Sequence, residues 1–216
     1  MNFPRDPVSN VRRFMQGRGL ATVRYASYDH CYNYFQKHRE AGEVPTLANK
    51  DARELSCLHL GYFLASWGMF RGKAALLQRS SVALLPAIEL ISQASDSIWM
   101  TDVEHYTDER IEELLDFKAA LGAVVPGGRS GTLTSKIMLG VFGCVPAFDR
   151  FFCNGFGTSG FRRKALHDLH TYYTRHHEVI ESCREMTIDF DGRDTKRRYT
   201  QAKVIDMIFF VEGGGT

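Results

Sequence analysis

The 216-residue chain is 44% hydrophobic and 24% charged, an ordinary balance for a globular chain that can bury a sizeable core as one large domain. A net charge of +2 does not by itself mark a nucleic-acid binder, and the longest apolar run, residues 57–70, is too short and too interrupted by His59, Gly61, Ser66 and Gly68 to span a membrane. The five cysteines form no Cys-X-X-Cys pair and the N-terminus lacks the apolar core of a signal peptide, so the expectation is a soluble cytoplasmic protein with buried thiols.

Charge is segregated along the chain. Residues 1–39 hold seven Lys or Arg against Asp6 and Asp29, and residues 1–25 read as a basic arm loosely attached to a single helical domain, 1–216. From about Asn49 to Phe70 the spacing of Leu55, Leu58, Tyr62, Ala65 and Met69 predicts a helix with that stripe facing the core. A helix over about 80–94 follows, with Pro86 near its start. Acids then gather from Asp96 to Asp116, and Thr107 is placed to cap a helix running to about Leu121.

Helices are predicted over 132–142, just after Asp149, over about 161–184, and over 201–212 behind a Thr200 cap. Thr187–Tyr199 contains Asp-Gly and reads as a hairpin or loop. The last helix is apolar nearly all round and so buried. Strands are few, and the fold class is mainly α, a multi-helix domain.

The stretch from Pro126 to Asp149 carries the chemistry. Gly127, Gly128 and Gly131 form a glycine-rich turn before a helix, a place where backbone N–H groups can meet a phosphate, with Arg129, Ser130 and the later Arg150 as added contacts. Lys136 sits early in that helix among apolar neighbours, which could desolvate its amine and make it nucleophilic. Asp149 follows a helix-ending Gly-Cys-Val-Pro and could assist the lysine, or could simply cap the next helix. No Gly-Lys-Ser/Thr is present, so a P-loop is excluded.

Glycine turn, helix with lysine and Val-Pro-Ala-Phe-Asp together resemble the helix-hairpin-helix DNA glycosylases, the 8-oxoguanine glycosylase-like branch in particular. The resemblance covers about 25 residues and implies a helix-hairpin-helix-like element near 121–143. It also implies Lys136 as a Schiff-base nucleophile and Asp149 as its assisting acid. The implied activity is that of a glycosylase, with or without lyase action, on a base flipped from DNA rather than RNA, in repair or defence. No cofactor and no metal is implied.

Trp67, Arg71 and Phe151 are candidate pocket residues, with a core role for Trp67 and a helix-end role for Arg71 as the plainer reading. His167 and His170 share a helix face but lack an evident third metal ligand. Two other readings stand beside the enzyme. One is a helical interaction or regulatory protein without catalysis. The other is a toxin-like helical ribonuclease, for which Arg162 and His167 have the spacing, but Arg163 stands where Asn, Asp or His is wanted.

Overall fold

The computed structural model describes residues 6–215. In chain order the helices are α1 (Pro7–Met15), α2 (Ala26–Glu40), α3 (Arg53–Ser66), α4 (Leu85–Ser92), α5 (Asp96–Met100), α6 (Asp108–Val124), α7 (Gly131–Phe142), α8 (Arg150–Phe156) and α9 (Arg163–Ser182). The strands β1 (Met186–Ile188) and β2 (Asp194–Arg198) pair antiparallel, and α10 (Gln201–Glu212) closes the described chain. The fold is mainly α, and no helix among the described residues is long and apolar enough to cross a membrane.

Two helices form the centre. Every residue of α7 from Leu133 to Phe142 is buried, as is every residue of α10 from Gln201 to Val211. α2 and α3 pack on α7, while α1, α8 and α9 surround α10. Local chemistry explains where α6, α8 and α10 begin. The Thr107 hydroxyl accepts from the Arg110 N–H, the Asp149 carboxylate from Phe152 and the Thr200 hydroxyl from Lys203, each satisfying an amide that the first helical turn leaves open. Asp102 adds its carboxylate to the start of α10, accepting from Gln201 at 2.7 Å and Ala202 at 3.0 Å.

The predicted stripe on α3 is a correction. Leu55, Leu58 and Tyr62 are exposed, and the buried face is Ser56, Cys57, Leu60, Phe63 and Leu64. The helix is apolar on more than one side, and α2 and α7 take the side that carries Leu60, Phe63 and Leu64. α3 itself, Arg53–Ser66, is shorter than the Asn49–Phe70 span, because residues 49–52 form a bend and turn and the helix ends at a Trp67 cap.

The basic N-terminal segment is docked from Asp6 onward. Asn10 on α1 donates to the Ile208 carbonyl, and Arg18 donates to the Met186 carbonyl and the Tyr199 hydroxyl. Residues 1–5 of the expected arm lie outside the described residues.

α8 and α10 approach so closely that glycine is required between them. A Cβ on Gly155 would lie 2.2 Å from the Phe209 carbonyl oxygen. Gly155→Ala should therefore destabilise the fold by about 1–3 kcal/mol or more. Gly61→Ala, in the middle of α3 with nothing nearer than Leu84 Cδ1 at 3.4 Å, should gain up to about 1 kcal/mol. Urea unfolding of both variants checks the contrast, and equal effects would contradict this packing.

Candidate functional site

The turn at 125–130 folds back on the end of α6. Gly128 donates to the Val125 carbonyl at 2.8 Å, Ser130 donates to Gly127 at 3.0 Å, and Gly127 has φ +78°. A Cβ on Gly128 would lie 2.7 Å from the Gly122 carbonyl oxygen, so only glycine allows this close approach. The amides of Gly128 and Ser130 are thus spent inside the turn and are not presented to a ligand. Arg129 and Ser130 are exposed at its tip.

α7 then carries Lys136 inward. Its side chain is 5% exposed, and its Nζ donates to the Trp67 carbonyl at 2.8 Å, lies 3.4 Å from Asp149 Oδ2 and sits 5.7 Å from the Trp67 ring centre. Burial holds the amine below the usual lysine pKa, against the opposing pull of Asp149. The structure thus brings Lys136 and Asp149 together, and it makes the amine an interior group.

Asp149 does two things at once. Oδ1 caps α8 through the Phe152 amide at 3.0 Å, while Oδ2 faces Lys136. The loop that delivers it, Gly143 to Phe148, is buried throughout and pinned by side chains. Tyr106 donates to the Cys144 carbonyl, Ala147 donates to Asp206 Oδ1, and Ser135 and Thr132 donate to the carbonyls of Ala147 and Phe148. A buried loop needs such partners for its backbone groups. Phe148 has φ +43°, a costly conformation for a bulky side chain. Its ring is held by a stacked contact with Phe161 at 5.0 Å and an edge contact with Phe152 at 5.2 Å. The strain turns the chain so that the next residue, Asp149, reaches both α8 and Lys136.

A cleft of about 350 Å³ opens beside the pair. Gly131 and Thr132 at the start of α7, Asp149 and Arg150 at the start of α8, and Ser159 to Phe161 line it. Lys136 is not among its lining residues, nor are Gly127, Gly128, Arg129, Ser130, Trp67, Arg71 and Phe151. Lys118 stands behind the far wall, donating to the Phe161 carbonyl at 2.7 Å with its amine over the Phe161 ring. Arg162 follows Phe161 and is close enough to depress the Lys118 pKa further than burial alone does. With Asp149 paired to Lys136, the charge left around this cleft is positive.

The remaining candidates separate from the site. Trp67 is 5% exposed at the end of α3 and belongs to the core, whereas Arg71 is exposed. Phe151 packs edge-on against Phe210 at 5.3 Å. His170 bonds the Val103 carbonyl and His167 lies 3.2 Å from Asp108. Among the described residues no group of three or more His, Cys, Asp or Glu could hold a metal ion.

The sequence reading missed a second interior pair. Lys203 and Asp206, each 1% exposed on α10, lie 3.1 Å apart. The Lys203 ammonium sits over the rings of Phe14 at 4.4 Å, Tyr28 at 4.8 Å and Trp67 at 4.4 Å. Nearby, buried Asp29 accepts from the Tyr199 hydroxyl at 2.7 Å and the Ile188 amide at 3.2 Å. Two charges three residues apart in an otherwise apolar run were the available signal.

Comparison with known protein families, with characterised proteins and with solved structures finds no match to this chain. The resemblance to the glycosylases therefore rests on the 126–149 segment alone.

The interior pair makes a quantitative prediction. Lys136→Met leaves the Asp149 charge without its partner, and Asp149→Asn does the same to Lys136 while keeping an oxygen to cap α8. Each should cost about 3–5 kcal/mol. The double variant should cost less than the sum by about 1–3 kcal/mol. Urea denaturation of the four proteins measures the coupling, and strictly additive losses would contradict a brace between these side chains.

Proposed function

We propose that the protein binds the backbone of a nucleic acid at the cleft between the starts of α7 and α8, and that the Lys136–Asp149 pair braces this cleft from inside without reacting. The observation that carries this reading is the cleft itself. Gly131 and Thr132 in the first turn of α7 and the exposed Arg150 line it, with Lys118 and Arg162 behind, and Asp149, the one carboxylate among its described lining residues, is already paired. Open first-turn amides and a guanidinium are the groups that take phosphate oxygens. Arg129, on the adjoining turn, extends the basic surface. Such contacts would hold a backbone without reading its sequence.

A second reading keeps the lysine chemistry. It is favoured by the 3.4 Å approach of Lys136 to Asp149 and by an amine whose pKa burial lowers. Both are features of a Schiff-base nucleophile in a glycosylase or lyase. That chemistry requires the amine to reach a sugar carbon, and Lys136 instead donates to the Trp67 carbonyl and is absent from the cleft lining.

The two readings divide in one set of experiments. Labelled DNA, duplex and single-stranded, should bind with an affinity that falls steeply as salt rises from about 50 mM, the mark of displaced counterions. Arg150→Ala and Arg129→Ala should each weaken binding several-fold and reduce the slope of log affinity against log salt by about one. Binding that ignores Arg150→Ala would contradict the proposed surface. Borohydride trapping on DNA with abasic sites should give no adduct. A covalent adduct lost in Lys136→Met would establish the second reading in its place.

A further inference from the structure

The apolar stripe of α3 points outward. Leu55, Leu58, Tyr62 and Ala65 recur at three- and four-residue spacing along the helix, so they share one face. Leu55 is 53% exposed, Leu58 47% and Tyr62 64%. α2, α4 and α7, with the 3-10 turns at Val44–Ala48 and Ser81–Leu84, pack against α3 and leave this face uncovered among the described residues. The patch widens at Tyr62, which borders a groove of about 390 Å³ together with the exposed Leu20 and Phe190. Contiguous exposed apolar surface of this kind marks an interaction site.

Charge is confined to the two ends of the stripe. Between Glu54 and Arg71 the sequence holds no Asp, Glu, Lys or Arg. His59, the one imidazole in that interval, stacks on Tyr34 at 4.2 Å. Asp51 and Glu54 stand exposed at the start of α3, and Glu54 lies one turn before Leu58 on the same face. Lys50 is in the turn before the helix, and Arg53 lies on the side of buried Cys57, one turn further on. Arg71 and Lys73 stand exposed just past the end of the helix. Asp51, Glu54, Arg71 and Lys73 have no ion-pair partner among the described residues.

A face that is apolar in the middle and oppositely charged at its two ends is complementary to itself when two copies run antiparallel. The acidic end of each copy then meets the basic end of the other, twice, about a two-fold axis. A parallel pair would set like charges together. Tyr62 lies midway between Glu54 and Arg71 in the sequence, where the axis would pass. A phenol both donates and accepts, so it can meet its own copy there. Tyrosine is also a residue type enriched among the anchors of protein interfaces.

We propose that α3 is a self-association face. Two copies of this chain pack antiparallel through Leu55, Leu58 and Tyr62, with Asp51 and Glu54 of each against Arg71 and Lys73 of the other. The dimer uses no residue of the α7–α8 cleft and does not depend on what that cleft binds.

Analytical ultracentrifugation of the full chain tests it. The expected species at about 300 µM has twice the mass of one chain and grows no larger, because a two-fold contact is closed. Tyr62→Glu, at an exposed position, should weaken the dimer about thirty-fold or more with an unchanged circular dichroism spectrum. Glu54→Lys and Lys73→Glu should each weaken it several-fold, and an equimolar mixture of these two variants should associate more tightly than either alone. Arg150→Ala should leave association unchanged, so this result stands apart from the DNA-binding test. A monomer at about 300 µM overturns the proposal. A dimer indifferent to Tyr62→Glu also overturns it, as do charge variants that fail to complement each other. A monomer whose binding to phosphatidylglycerol vesicles is lost in Tyr62→Glu would overturn it too and assign the stripe to a lipid surface.

Discussion

Trp67 sits between two buried ammonium groups, and much of the structure is arranged around that fact. Lys136 donates to its backbone carbonyl and Lys203 lies over its ring. Two buried ammonium groups are costly to remove from water unless each finds a counter-ion and further contacts. Asp149 and Asp206 supply the charges, and Phe14 and Tyr28 add ring faces to Lys203. The requirement reaches outward. Asp206 also holds the Ala147 amide and so fixes the buried loop that places Asp149. Phe14 comes from α1, which explains why the N-terminal segment is docked instead of free. One ionic interior thus ties α1, α3, α7, α8 and α10 together.

The same arrangement governs function. A nucleophilic lysine and a bracing lysine both need a carboxylate nearby and a depressed pKa, so neither property separates them. Access does. Asp149 has one oxygen capping α8 and the other on Lys136, and only Asp149 of the two residues borders the cleft. Neutralising Asp149 from within leaves Arg150, Lys118 and Arg162 to set the sign of the cleft, which is how an interior pair can shape a surface without touching a ligand.

Helix starts were legible in the sequence because capping is local. Thr107, Asp149 and Thr200 precede their helices by one residue, and no tertiary information is needed to place them. The burial of α10 was legible from its apolar circumference. The inward face of α3 was not, since Leu55, Leu58 and Tyr62 compete with Cys57, Leu60, Phe63 and Leu64 at nearly the same period, and the choice belongs to α2 and α7. The closeness of Lys136 and Asp149 was foreseeable from their order in the chain, but their enclosure was not, because Trp67 comes from 69 residues away. Asp29 meeting Ile188 and Tyr199, and Phe14 meeting Phe210, are likewise pairings between distant parts of the chain that no local pattern announces.

Amine labelling of the native protein with an acylating reagent, read residue by residue by mass spectrometry, tests the enclosed interior most directly. Lys37, Lys50, Lys73, Lys164 and Lys196 are exposed and should react at the rate of free lysine side chains. Lys136 and Lys203 should react only through opening of the fold, about a hundred-fold or more slowly for an opening free energy of ~3 kcal/mol. Lys136 reacting as fast as Lys73 would contradict the account and return its amine to the surface of the cleft.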